Sequence, residues 1–395
     1  MQSTTITLGA LTIPVGLVDA LFARHKRRGI RSNELILVLV ALLPFAIWLQ
    51  TAPSLLGGLL LAISSIGLSL FVTALVHELG HLAAAWILGW KIISFGVSPV
   101  AVSRHGSRWR VSRTSPSMPL GWVAATPRDV SRWRRDAIIV RLAGPLIATG
   151  AGAYLLVLTM TVSMEPVTWS IVMMMAFVLL VFNIVQLIPF RWRGYMSDGR
   201  FVLAMLAGGT DVAYEASIAQ LNRDVLAETR PRDWNPLAVQ SVSHVADGTI
   251  YEAVGSLFAF WWMYDLGNWE QAEGHLSRAL SCASPLPPDT MHALVAEAVF
   301  MAARRGQDLD ACQLVLEQLR RGALDPHTAA RTEIAILLAT GDVDAARQRA
   351  QQALETLRQA DPETRGFELA WVGDLLLESS AWDQSRTRYH QREEA

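Results

Sequence analysis

Two histidines and a glutamate lie close together at His77, Glu78 and His81, inside the otherwise apolar segment SLFVTALVHELGHLAAAWILGW. Side chains four residues apart project from the same face of an α-helix, so the two imidazoles would lie one turn apart. Neutral imidazole is a natural zinc ligand, and a glutamate beside such a pair is placed to take a proton from water. The spacing therefore predicts a zinc site on a helix, with Glu78 as its general base.

The apolar surroundings of this motif strengthen the prediction. The alternative interpretation is a chance match, which this pattern gives in roughly one soluble chain in a hundred of this length. However, no other ionisable residue occurs between Leu35 and Trp90. Placing a charged group in a membrane costs about 2.5–3.5 kcal/mol on insertion scales, so ionisable groups retained there are usually functional.

A catalytic zinc site needs a third protein ligand and an open position. Asp198 follows the apolar run that ends in FNIVQLIPF, which makes it a candidate third ligand. An aspartate before a glycine, here Gly199, is also typical of an ordinary turn. Spacing alone leaves both interpretations open.

The composition indicates a membrane protein in its first half. Of 395 residues, 52% are hydrophobic and only 17% are charged, and the net charge of −1 gives no reason to expect a nucleic-acid partner. A membrane-spanning helix needs roughly 20 apolar residues. Four stretches approach that length, and the second is long enough to require a turn, a tilt or a bend near Gly57 and Gly58. The predicted spans are 35–50, 55–88, 137–162 and 168–190.

The distribution of basic residues predicts the orientation of these spans. The segment RHKRRGIR at 24–31 precedes the first span, and nine Lys and Arg residues occur from Lys91 to Arg135. The connections at 51–54 and 163–167 contain none. Because basic residues mark cytoplasmic loops, we expect both termini in the cytoplasm and the metal motif near the cytoplasmic end of the second span.

Several motifs in this order resemble the site-2 protease family of intramembrane zinc metalloproteases. They are HELGH in a span, ISFGVSP at 93–99, MPLGWVAA at 118–125, AGP at 143–145 and DGRFVL at 198–203. The resemblance covers about residues 70–205. It implies that the protein cleaves a membrane-anchored protein substrate within the lipid bilayer. It also implies that His77, His81 and Asp198 bind Zn²⁺, with Glu78 as the catalytic base.

The resemblance further implies how substrate is held. The loop at 92–125, with Gly96 in its glycine-rich part, would fold as a membrane-dipping β-hairpin that receives unwound substrate as an added strand. Either Asn183 or Gln186 could stand where the family has a substrate-orienting asparagine. This chain also has seven residues, RWRGYMS, between its proline segment and the aspartate.

The second half of the chain has no apolar run of spanning length. Gly267, Gly306 and Gly341 each precede an alanine by five residues and follow an apolar helical stretch. The first of these segments resembles a tetratricopeptide repeat, and a plain helical bundle is the alternative. A repeat array would offer a groove to a cytoplasmic protein or peptide partner.

These observations predict an all-α polytopic membrane domain of about four spans, with a membrane-associated β-hairpin, plus an α-helical repeat domain. The leading function is an intramembrane zinc endopeptidase in a multi-pass cell-membrane protein. A catalytically silent membrane scaffold and a metal transporter or sensor are the alternatives. Four domains are predicted: a cytoplasmic N-terminal surface segment (1–33), a metalloprotease domain (34–205), a connecting helix and linker (206–250) and the repeat domain (251–395).

Overall fold

The computed structural model describes residues 6–14, 32–49, 55–105, 108–113, 120–192, 195–283, 288–321, 324–360 and 365–393. The described chain is mostly helical with a few short strands, as predicted. It divides into two compact units. One contains most of the chain between Arg27 and Ala216, and the other contains the N-terminal residues and the chain from Ser217 onward.

The helices of the described residues are α1 (Ser32–Leu49), α2 (Leu55–Ile87), α3 (Trp133–Thr161), α4 (Pro166–Leu187), α5 (Asp198–Ala207), α6 (Thr210–Leu226), α7 (Pro236–Ser243), α8 (Ile250–Asp265), α9 (Trp269–Ser281), α10 (Pro288–Arg304), α11 (Leu309–Arg320), α12 (Pro326–Ala339), α13 (Val343–Gln359) and α14 (Glu368–Glu393). The strands are β1 (Ile6–Leu8), β2 (Leu11–Ile13), β3 (Lys91–Val97), β4 (Val100–His105), β5 (Arg108–Arg113), β6 (Gly121–Thr126), β7 (Arg191–Trp192) and β8 (Tyr195–Met196).

Three helices, α2, α3 and α4, are long and apolar enough to cross a membrane, so three of the four predicted spans are confirmed as helices and their crossing stays a prediction. The predicted first span coincides with α1, whose described apolar part, Val38–Ile47, is shorter than a crossing needs. That span stays a prediction. A further crossing would arise if α5 and α6, bent by 103° at the break between them, acted as one span.

Helix α2 continues without interruption past Gly57 and Gly58, so the predicted turn there does not occur. Its 33 residues make it roughly 50 Å long at about 1.5 Å per residue, more than a bilayer's hydrocarbon core. The predicted tilt or bend of this helix stays a prediction. The basic segment at 24–31 and the connection at 51–54, which set the predicted orientation, lie outside the described residues.

The region predicted as a β-hairpin is instead a four-stranded sheet in the order β5-β4-β3-β6. Strand β3 pairs antiparallel with β4 and, on its other side, with β6. The prediction of a simple hairpin is wrong because β6, which follows β5 in the chain, pairs with the side of β3 opposite to β4. Strand β6 therefore forms an edge of the sheet. Met118 and Pro119 of the MPLGWVAA motif lie outside the described residues.

Residues 6–14 do not form the surface segment predicted for the N-terminus, and residues 15–31 lie outside the described residues. Strands β1 and β2 make a hairpin that packs on α9 and α10. Its side chains at Leu8, Leu11 and Ile13 are fully buried. Gly9 allows the tight turn through its φ of +59°, and its N–H donates to the Asp308 carboxylate at 2.8 Å. Alternating apolar residues on both sides of that turn explain the burial.

Three helix pairs follow, α8 with α9, α10 with α11 and α12 with α13. The glycine between the helices of each pair has a positive φ, at Gly267, Gly306 and Gly341. At each turn the glycine N–H bonds to the carbonyl three residues back, and the next N–H bonds five residues back. This is the Schellman ending, which explains the recurring glycines. The assignment of these pairs as tetratricopeptide repeats stays a prediction.

Helix α14 covers a face shared by the first helices of all three pairs. The Trp371 ring lies 4.8 Å from Tyr264 on α8 and 5.9 Å from Phe300 on α10, centroid to centroid. The Arg331 guanidinium on α12 lies 4.7 Å from the same tryptophan ring. Trp371 also donates its indole N–H to Asp265 at 2.9 Å. The helix therefore packs along the array rather than on its last pair alone.

A buried ionic cluster lies beneath α14. Arg331 is fully buried, with Nη2 2.7 Å from Glu297 Oε1 and Nε 2.8 Å from Glu368 Oε2. One arginine thus faces two carboxylates. Burial raises the pKa of Glu368 to about 7, although Arg331 opposes the shift.

We expect this cluster to make the stability of the helical unit depend on pH. Because the pKa of Glu368 rises from 4.5 to about 7 on folding, the folded state holds a proton that the unfolded chain releases in that window. The free energy of unfolding contributed by Glu368 therefore decreases as the pH rises from about 4.5 to 7. Glu368→Gln should flatten this part of the dependence of Tm on pH, measured by tryptophan fluorescence of the full chain. Glu355→Gln on the exposed face of α13 is the control, and equal slopes in both variants would contradict the expectation.

Candidate metal centre

The structure brings His77 and His81 of α2 together with Asp198 of α5 in a buried group that could hold a metal ion. The two histidine Nε2 atoms are 3.0 Å apart. Asp198 Oδ2 lies 3.2 Å from His77 Nε2 and 3.6 Å from His81 Nε2. Asp198, whose role the sequence leaves open, therefore meets both histidines.

Hydrogen bonds fix which nitrogen of each ring faces this group. His81 Nδ1 lies 2.7 Å from the Val140 carbonyl oxygen, which can only accept, so Nδ1 carries the proton. His77 Nδ1 lies 2.6 Å from Asn183 Oδ1, and Asn183 Nδ2 donates to Leu179 O at 2.8 Å, which fixes the amide orientation. In the neutral rings both Nε2 atoms are consequently left with a lone pair.

Three lone-pair atoms that converge without a proton between them repel one another unless a cation lies between them. A tetrahedral zinc ion with bonds of about 2.0–2.1 Å holds its ligand atoms roughly 3.3–3.4 Å apart. The three observed separations, from 3.0 to 3.6 Å, lie around that value. The donor set, its spacing and its hydrogen-bonded imidazoles therefore fit zinc.

Two glycines permit the close approach of α2 and α3 at the site. A Cβ on Gly80 would lie 2.8 Å from the carbonyl oxygen of Ala143 and from the Cα of Gly144. A Cβ on Gly144 would lie 2.5 Å from the His81 ring. The absence of a side chain at Gly80 and Gly144 thus allows α2 to pack closely on α3 and the His81 ring to lie against the α3 backbone.

The chain reaches Asp198 through a small hairpin and a cap. The RWRGYMS segment contains the paired strands β7 and β8, and the Ser197 N–H donates to Phe190 O at 3.1 Å. Ser197 Oγ then donates to Ile188 O at 2.7 Å and accepts from the Arg200 N–H, so it caps α5. A Cβ on Gly199 would overlap Leu187 O. Asp198 therefore lies beside the end of α4.

Glu78 lies next to the convergent group, in a cavity of about 770 Å³. The same cavity is lined by the two histidines and Asp198, by most of β6 and by the end of α4. A Cβ on Gly121, the first residue of β6, would lie 2.6 Å from Glu78 Cγ and 2.8 Å from its Oε1. The edge strand of the sheet thus begins against the Glu78 carboxylate.

The three candidate substrate residues lie in different places. Gln186 lines the cavity. Asn183 is fully buried and supports His77, so it lies behind the histidine. Gly96 pairs with Trp122 across β3 and β6, and a Cβ there would overlap the Trp122 ring. The cavity lining includes that tryptophan, whereas Gly96 lies beneath it.

Sequence reasoning missed Arg141, which lines the cavity and lies 3.3 Å from Asp198. A signal for it was present, because Arg141 is a lone cation within the predicted span 137–162. The rule that singles out His77 in an apolar helix applies equally to this arginine.

Neither a known family, nor a curated protein, nor a solved structure matches this chain.

Proposed function

We propose that the protein is an intramembrane zinc endopeptidase of the site-2 protease type, which cleaves membrane-anchored protein substrates near the cytoplasmic face. His77, His81 and Asp198 would hold the zinc ion and Glu78 would act as the base. The motifs and their order support the family, and the basic residues between Lys91 and Arg135 support the orientation.

The observation that carries the proposal is the contact between Gly121 and Glu78. Strand β6 lies at the sheet edge, where its outward N–H and C=O groups are positioned to pair with an extended peptide. A peptide added there would pass the Glu78 carboxylate and the three candidate metal ligands. Glu78, the three candidate metal ligands and most of β6 line one cavity, which supports the proposal.

Cleavage follows from these parts. Bound zinc would supply a Lewis acid that polarises the peptide carbonyl and makes water more acidic. Glu78 accepts the proton of the attacking water and then donates it to the leaving amine nitrogen. Val140 O and Asn183 keep the two imidazoles oriented. The edge of β6 holds the substrate in an extended conformation. This matters because a peptide bond inside a helix is already hydrogen-bonded and sterically covered.

The remaining cavity walls favour an apolar substrate segment. Phe182, Val185 and Phe190 contribute apolar surface, while Gln186 offers an amide for hydrogen bonding to the peptide. We assign the substrate-contacting role to Gln186 and a ligand-supporting role to Asn183. The helical unit would bind a cytoplasmic protein or peptide that recruits or regulates the protease.

The test uses the purified full chain with a generic transmembrane substrate. We expect one zinc ion per chain by elemental analysis, and loss of cleavage on treatment with a chelator that is reversed by added zinc. A scaffold would show no cleavage under either condition. A transporter would carry zinc across vesicle membranes without cutting. Either result, in protein that is loaded with zinc, would overturn the proposal.

A further inference from the structure

The Asp198 carboxylate is held from two sides. Its Oδ2 faces the two histidine Nε2 atoms, whereas its Oδ1 lies 3.3 Å from Arg141 Nη1. Each carboxylate oxygen therefore has its own partner. The acid could not turn both oxygens toward the histidines without giving up the contact with the guanidinium.

Arg141, whose side chain is 45% exposed, also packs against α5. Its guanidinium lies 4.6 Å from the centroid of the Phe201 ring, three residues after Asp198. Phe201 is buried, so this ring is a firm surface for the planar cation. The arginine thus contacts two residues of the first turn of α5 from its position on α3.

Arg141 also follows Val140 directly, and the carbonyl of Val140 accepts the hydrogen bond from His81. Successive residues of α3 therefore support two different candidate ligands, one through the backbone and one through a side chain. A small shift of α3 would disturb both supports together.

From this geometry we infer that Arg141 is a positioning residue that presents Asp198 to the metal through a single oxygen. The inference rests on the proposed function in one respect, the binding of zinc by His77, His81 and Asp198. One-oxygen ligation matters because a bidentate carboxylate would take up the coordination position that a catalytic site keeps open. Arg141 would preserve that position by occupying Oδ1.

The test measures the coordination number and affinity of the bound metal rather than the rate of cleavage. The full chain is loaded with Co²⁺, whose visible absorption weakens when a four-coordinate site becomes five-coordinate. Arg141→Met should give the weaker spectrum and lower zinc affinity about 10–100-fold in chelator competition, the usual effect of removing a partner of a metal ligand. Arg141→Lys retains the charge without the planar fork and should show a smaller change in both measurements.

Two controls frame the result. Arg135→Met makes the same chemical change on the same helix, at a side chain paired with Asp136 and 61% exposed, and should keep the wild-type spectrum. Asp198→Ala should lose most of the metal. A folded Arg141→Met or Arg141→Lys protein with wild-type spectrum and affinity would overturn the inference. If the wild-type chain binds neither metal, the proposed function itself fails instead.

Discussion

Glu78→Gln is expected to lower peptide cleavage by about 10²–10⁴-fold, the range for loss of a general acid–base group, while zinc content stays unchanged. The three atoms that converge on the candidate metal position belong to His77, His81 and Asp198, so removing the Glu78 charge takes away no ligand. Glutamine has nearly the same shape and still fits against Gly121. It cannot accept the proton that the attacking water must lose. The measurement is the cleavage rate of the purified full chain beside its zinc stoichiometry.

Glu165→Gln provides the matched control for this variant. Glu165 is an exposed residue that caps α4 by accepting from the Thr168 N–H at 3.0 Å, and a glutamine oxygen can accept the same bond. We expect wild-type cleavage from it. Zinc-loaded Glu78→Gln protein that cuts at a rate near wild type would show that another group accepts the proton.

Gly144→Ala is expected to abolish metal binding although it adds only one methyl group. That group would lie 2.5 Å from the His81 ring, where Gly80 of α2 already packs closely against the backbone of α3. The ring must then move, and its Nδ1 bond to Val140 O and its place beside His77 are lost together. Zinc content and Co²⁺ absorption of the full chain measure the effect.

Gly150→Ala is the same substitution on the same helix, at a position where a Cβ would meet nothing within 4 Å. It should keep the metal and unfold no more easily than wild type, since alanine is the better helix former. Equal metal content in the two variants would mean that His81 does not need the space at Gly144.

Much of the site could be predicted from the sequence because its polar residues interrupt apolar helices. His77 and His81 are conspicuous in α2, and Asp198 is a candidate because it follows the last apolar run, although spacing alone leaves it open as a turn residue. Three of the predicted spans are confirmed as helices for the same reason, since their apolar length is a local property of the chain.

The features that could not be predicted depend on contacts between distant residues. Nothing near Gly121 in the sequence indicates that it lies against Glu78. The return of β6 across β3 requires knowledge of strand order, and the burial of Leu8 requires knowledge of α9 and α10. Asn183 and Gln186 are equivalent in pattern, and only the packing of α4 separates a support for His77 from a cavity wall.

The position of α14 has a consequence for any partner of the helical unit. The face formed by α8, α10 and α12 already holds Trp371 and Glu368, so a peptide that binds there competes with a segment tethered to the same chain. Its apparent Kd is the intrinsic Kd divided by the fraction of molecules in which α14 is displaced. If that fraction is about one in a hundred, binding weakens about 100-fold. If a peptide binds there, its affinity would therefore depend on the free energy of releasing α14 as well as on the peptide's own sequence.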